Sequence, residues 1–181
     1  MEELIKNTLN GDKHSFEVLI DSVKSDLYRV AQAKLKNLDD VNDAIQETIF
    51  KAFDKLHTLK EPKLFKTWII RILINECNII YRKKYRQTKI FNKLSISKTT
   101  VEIANPFNIT EDKIDFDILL KHLNEKEQLI LALHYNSKYT PDEISDILGI
   151  NANTIKSTIY RTKQKLRKYL EKEELDNESR K

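Results

Sequence analysis

Thr140-Pro141-Asp142-Glu143-Ile144-Ser145-Asp146-Ile147-Leu148-Gly149-Ile150-Asn151 holds one whole helix together with the signals for its start and its stop. Thr140 has the hydroxyl an N-cap needs, Pro141 fits the first helical position, and Glu143 can reach back to the cap as the second half of a capping box. Asp142 and Glu143 place negative charge at the positive end of the helix dipole. Ile144, Ile147 and Leu148 make the apolar stripe. Gly149 ends the helix, because a residue without Cβ enters the left-handed region freely. Asn151 then caps a further helix that carries Ile155 and Ile159 inward and continues through Leu166 and Leu170. Short helix, glycine turn and second helix together predict a helix-turn-helix. Ser145 is small enough for the two helices to approach, and Ile144, Leu148, Ile150, Ile155 and Ile159 supply the seam between them.

The outward face of the second helix presents Lys156, Ser157, Tyr160, Arg161 and Lys163. Long donors on a helix of this kind can reach base edges and phosphates in the major groove, so the motif predicts duplex DNA binding. By itself the motif leaves repressor, activator and initiation factor open.

Upstream, helical periodicity dominates. Phe16, Leu19, Ile20, Val23, Leu27, Val30 and Ala31 fall on one face. Val41, Ala44, Ile45, Thr48, Ile49, Ala52, Phe53 and Leu56 form a second stripe, with Asp39 and Asp40 as its expected caps. Phe65, Trp68, Ile69, Ile72 and Ile79 form a third, which runs out into Arg82-Lys83-Lys84-Tyr85-Arg86. Pro62 marks a loop from Leu59 to Leu64 where one helix must stop and the next restart. Residues 88–113 lose the stripe and collect Ser95, Ser97, Thr99, Thr100, Asn105 and Pro106, a flexible linker by composition. A second helical unit starts near Lys113, with a capping-box start at Asn124-Glu125-Lys126-Glu127. The expected architecture is all-α, with a helical domain over 1–87, a linker over 88–113 and a helix-turn-helix domain over 114–175.

With 2 glycines and 3 prolines in 181 residues, the chain lacks the turn residues an all-β fold needs. Net charge is only +4, but it is segregated. Acids (Asp39, Asp40, Asp43, Glu47, Asp54) gather before residue 61. Lys66, Arg71, Arg82, Lys83, Lys84, Arg86 and Lys89 follow against a lone Glu76. Lys156 to Arg167 is basic again, after an acidic stretch from Glu111 to Asp117. Two basic segments set apart from acidic ones predict two nucleic-acid contacts and a separate protein-facing surface. The single Cys77 excludes an internal disulfide and suits a small core residue. His14, His57, His122 and His134 are dispersed without metal-ligand spacing, and there is no glycine loop to cradle phosphate. Neither catalysis nor a metal, cofactor or small-molecule substrate is expected. Met1-Glu2-Glu3-Leu4 lacks the segments of a signal peptide, and no apolar run approaches the ~18 residues of a membrane span. The expected location is the cytoplasm, without membrane insertion.

Both helical domains carry a family resemblance. Ile144–Ile150 followed by Asn153-Thr154-Ile155-Lys156-Ser157-Thr158-Ile159-Tyr160-Arg161 resembles region 4 of sigma factors. Asp40-Val41-Asn42-Asp43-Ala44-Ile45-Gln46-Glu47-Thr48-Ile49-Phe50-Lys51-Ala52-Phe53 resembles region 2.2. Phe65-Lys66-Thr67-Trp68-Ile69-Ile70-Arg71-Ile72 with Asn75 and Tyr81-Arg82-Lys83-Lys84 resembles regions 2.3 and 2.4. In this order, with only a linker between, the whole is similar to the minimal extracytoplasmic-function (ECF) sigma factors of the sigma-70 family. The resemblance implies that Asp40, Asp43, Gln46 and Glu47 dock on core RNA polymerase. It implies that Leu59, Lys60, Lys63, Arg71, Asn75, Arg82, Lys83 and Arg86 meet the opened −10 strand of promoter DNA, and that Lys156, Ser157, Tyr160, Arg161 and Lys163 meet the −35 duplex. It also implies an anti-sigma factor as partner. Glu61 and Pro62 depart from the small or polar residues usual in the −10 loop, and Thr158 stands where many relatives carry Arg.

Overall fold

The structure is a computed structural model of the 181-residue chain that describes residues 1–35, 37–94 and 123–178, with backbone alone for 85–94, 136 and 172–178. Among these residues all regular structure is helical. The chain divides into two compact units, Met1–Pro106 and Phe107–Lys181.

The first unit contains α1 (Glu2–Leu9), α2 (Lys13–Lys34), α3 (Leu38–Lys55) and α4 (Phe65–Leu94). Asp12 caps α2, its carboxylate accepting from His14 N at 3.0 Å and Ser15 Oγ at 2.6 Å. At the start of α3 the expected cap moves back by two residues. Asn37 Oδ1 accepts from the backbone of Asp39 at 2.8 Å and of Asp40 at 3.2 Å. The two aspartates lie in the first turn, where they complement the dipole instead of capping.

Helices α2, α3 and α4 pack on one another, with α1 laid against α2. Leu19, Val23, Leu27 and Val30 from α2, Val41, Ala44 and Ala52 from α3, and Phe65, Ile69, Ile70 and Leu73 from α4 are all essentially inaccessible. Each large side chain so buried stabilises the unit by roughly 1.5–3 kcal/mol. The buried stripe of α4 runs through Phe65, Ile69, Ile70, Leu73, Ile74 and Cys77, so Ile79, expected inward, is exposed instead. On a helix it sits about 200° round from Cys77. Phe53 is also half in solvent, although its ring meets Phe16 edge-on at 5.0 Å.

Two ion pairs tie α3 to α4. Lys51 Nζ lies 2.5 Å from Glu76 Oε2, and Lys84 Nζ lies 2.5 Å from Asp40 Oδ2. The lone acid of the basic segment, Glu76, is thus buried and occupied by a lysine from the neighbouring helix. Cys77 is sealed in the core, and burial pushes its thiol pKa up to about 12.

α4 runs past the expected domain boundary at residue 87 and is helical through Leu94. Nothing between Gln87 and Leu94 is a proline or glycine, and Ile90, Phe91 and Leu94 keep helical spacing. The rest of the expected linker, 95–113, lies outside the described residues, as does the start of the second unit near Lys113.

The second unit contains α5 (Glu125–Leu131), which loosens into a π turn over Ala132–Asn136, then α6 (Pro141–Leu148) and α7 (Ala152–Glu178). Both expected capping boxes form, Asn124 with Glu127 and Thr140 with Glu143. Glu127 serves twice, because its second oxygen takes Lys165 of α7 at 2.5 Å. Burial raises its carboxyl pKa, but the Lys165 ammonium and the Asn124 N–H outweigh that and hold it below the usual value. Between the π turn and α6, Lys138 adopts φ 60°, a left-handed conformation that a side chain with Cβ adopts at a penalty.

Candidate nucleic-acid and protein interfaces

Gly149 closes α6 at φ 65°, ψ 32°, and the Ser145 carbonyl accepts from the N–H groups of both Gly149 and Ile150. Asn151 Oδ1 then caps α7 through Asn153 N at 2.9 Å. Ile144 and Ile155 are fully buried at the seam, with Ile147 beside them. The helix-turn-helix expected from the run at 140–151 is therefore built as expected.

Lys156, Ser157, Tyr160, Arg161 and Lys163 are all exposed. Their local bonds differ. Ser157 Oγ donates to Thr154 O at 3.0 Å, and Arg161 Nε donates to Ser157 O at 3.3 Å. Lys156 lies 3.5 Å from Asp142 at the start of α6. Thr158 is buried, so it contributes to packing and not to the outer face.

With about 100° per residue, the line opposite the buried residues Ile155, Thr158 and Thr162 passes through Asn153, Ser157, Tyr160 and Gln164. All four are uncharged. Lys156, Lys163 and Arg167 flank this row on one side, and Arg161, Lys165 and Lys168 on the other. A neutral row between two cationic ones matches the cross-section of a groove, with bases at the centre and a phosphate strand at each edge. Asn153, exposed and on that line, is absent from the face expected from sequence, although its spacing from Tyr160 (i, i+7) marks it.

In the first unit, Asp43, Gln46 and Glu47 are exposed along one face of α3. Phe50 continues that stripe at i+7 from Asp43 and is 73% accessible. The sequence alone marks the acidic and amide part of the stripe; the signal for Phe50 is an aromatic between two buried-face positions, Ile49 and Ala52. Asp40 is mostly covered by its pair with Lys84.

Leu59 is half-buried and Lys60 exposed, between short turns at Leu56–Thr58 and Pro62–Leu64. Lys63 reaches Glu61 at 2.8 Å, which raises the lysine pKa above its ordinary value. On α4, Arg71, Asn75 and Arg82 are exposed and fall within one row, roughly 16 Å long, with half-buried Trp68 beside it. Lys83 is exposed to the side of that row. The side chain of Arg86 lies outside the described residues. Among the described residues no group of His, Cys, Asp or Glu is arranged to hold a metal, and no helix is long and apolar enough to cross a membrane.

Comparison with known proteins matches the sigma-70 region 2 family to residues 19–87 and the sigma-70 region 4 family to residues 115–166. The chain is 30% identical over 152 residues to RNA polymerase sigma factor SigV of Bacillus subtilis, covering 84% of this chain and 89% of that one. It is 24% identical over 181 residues to ECF RNA polymerase sigma factor SigW of the same organism, covering 94% and 96%. Among solved structures it is similar to the sigma factor RpoE bound to the anti-sigma factor NepR from Bartonella quintana. There the TM-score is 0.70 at 24% identity, over 86% of this chain and 96% of that one. It is also similar to CnrH in complex with the cytosolic domain of CnrY, with TM-score 0.66 at 18% identity, over 93% and 95%.

Proposed function

Since the chain belongs to the sigma-70 family of RNA polymerase sigma factors, within its ECF group, we propose a division of labour among its surfaces in directing polymerase to promoters. The exposed α3 stripe docks on the polymerase: Asp43, Gln46 and Glu47 give orientation and rate of encounter, with Asp40 at its covered end. Leu59, Lys60 and Lys63 in the loop before α4 receive the opened −10 strand, and Arg71, Asn75, Arg82, Lys83 and Arg86 run beside it. Pulling a base from the stack takes a few kcal/mol, which contacts in such a channel offset. The outer face of α7, with Lys156, Ser157, Tyr160, Arg161 and Lys163, enters the −35 major groove. The protein brings no catalytic group; the bond-forming chemistry belongs to the polymerase.

The observation that carries this reading is the ordered presence of both matched regions, each with its own exposed basic face, on one chain. A regulator that binds duplex alone has use for α7 but none for the acidic stripe of α3 or the basic row of α4. One structurally similar sigma factor, RpoE, is bound to an anti-sigma factor, which supports an anti-sigma factor that covers these same faces here.

Run-off transcription with core polymerase on genomic fragments from the source organism tests the reading. Start sites that depend on the added protein are the expected result. Silence from an active core, together with tight duplex binding by the protein alone, would hand the assignment to a conventional regulator.

A further inference from the structure

We infer that Asn153 reads an adenine of the upstream promoter element, an inference that rests on the initiation reading above. The outer line of α7 holds four uncharged residues, and only some have groups to spare for a base. Ser157 donates its hydroxyl proton to the Thr154 carbonyl. Gln164 lies eleven residues beyond Asn153, about 16 Å further along the helix. Asn153 lies in the first turn, the end of a recognition helix that contacts base edges. It is exposed, and no hydrogen bond among the described residues engages its side-chain amide. Its backbone N–H is already satisfied by Asn151, so the amide is not needed to cap the helix.

A primary amide presents an N–H donor and a carbonyl acceptor side by side in one plane. In the major groove only adenine offers the matching pair: Asn Nδ2–H donates to N7 while Oδ1 accepts from the N6 amino group. Guanine presents two acceptors, cytosine one donor, and thymine an acceptor beside a methyl. The flanking Lys156 and Arg161 hold the two phosphate strands and so set how deep the helix lies. They pair with any sequence and leave discrimination to the central row.

The test uses the full chain with core polymerase on a promoter found by run-off, with each upstream base replaced in turn. The wild type should require adenine at one position, with a roughly 5- to 150-fold loss for other bases. Asn153→Ala should make the four bases equivalent at that position and leave the other positions unchanged. Replacing that adenine by 7-deazaadenine, which lacks the N7 acceptor, should weaken the wild type and leave Asn153→Ala unaffected. Asn153→Asp keeps the shape but only accepts, so preference should move to cytosine; it serves if the alanine variant folds poorly. A variant that keeps the adenine preference, or that loses output equally on every sequence, overturns the inference. If the wild type gives no protein-dependent start sites, the initiation reading fails and this inference falls with it.

Discussion

Replacing Lys51 with Met removes one half of the ion pair that joins α3 to α4. The Glu76 carboxylate is only 9% accessible, while Lys51 remains 34% accessible. Breaking a fully buried pair from one side costs about 3–5 kcal/mol, because the remaining charge is left dehydrated. Water can enter where the lysine leaves the surface, which brings the expected loss down to about 2 kcal/mol. Lys51→Met/Glu76→Met removes both charges and substitutes apolar volume, so it should cost less than the single change. The sequence has one tryptophan, Trp68, and it lies in α4, so its fluorescence follows the first unit alone. With a urea m-value of about 1–1.5 kcal/mol/M for a unit of this size, the midpoint should fall by about 1–2 M for Lys51→Met. A single variant within about 0.5 kcal/mol of the parent, or a double variant as unstable as the sum of both singles, would refute this reasoning.

Lys138→Gly should stabilise the second unit by about 0.5–1 kcal/mol. A left-handed residue with Cβ costs roughly 1–2 kcal/mol and glycine returns part of that gain as chain entropy; slower amide exchange in α6 and the start of α7 is the readout. Cys77 should resist an aromatic disulfide reagent at neutral pH until urea opens the first unit. Rapid labelling of the folded protein would contradict the burial that raises its thiol pKa to about 12. Glu127 has a folded pKa below its ordinary value, so its contribution to stability is complete above the unfolded pKa and is lost as pH falls through the folded one. In acid titration the parent and Glu127→Gln should therefore converge as pH falls below the ordinary carboxylate range, and curves that stay parallel throughout the acid limb would show that the carboxylate is not the source. Phe50→Ser should weaken polymerase affinity about tenfold or more while leaving the thermal midpoint nearly unchanged, since the ring is largely in solvent; a drop in the midpoint with intact affinity would assign Phe50 to packing.

The second unit was legible because its signals are local. A threonine, a proline, a glutamate and a glycine at fixed offsets specify the α6 boundaries through backbone hydrogen bonds that form within a few residues. The face of α4 was harder. Ile69, Ile70, Ile72, Leu73 and Ile74 are nearly continuous, so periodicity does not say which of them point inward; the packing of α2 and α3 selects Ile69, Ile70, Leu73 and Ile74. The cap at Asn37 was missed because Asp39 and Asp40 are equally good cap residues, and only the backbone geometry distinguishes them. Pairing across helices was not readable at all. Nothing local in Lys51 or Glu76 announces a partner twenty-five positions away, nor does Asp40 announce that Lys84 covers it.

The two bridges between α3 and α4 have opposite polarity. Near one end of the contact the acid, Asp40, is on α3 and the base on α4; further along α3 the base, Lys51, is on α3 and the acid on α4. Apolar ridges on helices repeat every three or four residues, so sliding α4 by one turn still lets hydrophobic side chains meet. A slipped hairpin would therefore be a kinetic trap if oil-like contact were the only guide. Slippage parts both bridges, however, and strands the Glu76 carboxylate in the interface without a counter-charge. The misaligned state is made shallow where the aligned one is deep, and a chain that collapses in the wrong register has a downhill way back to the right one.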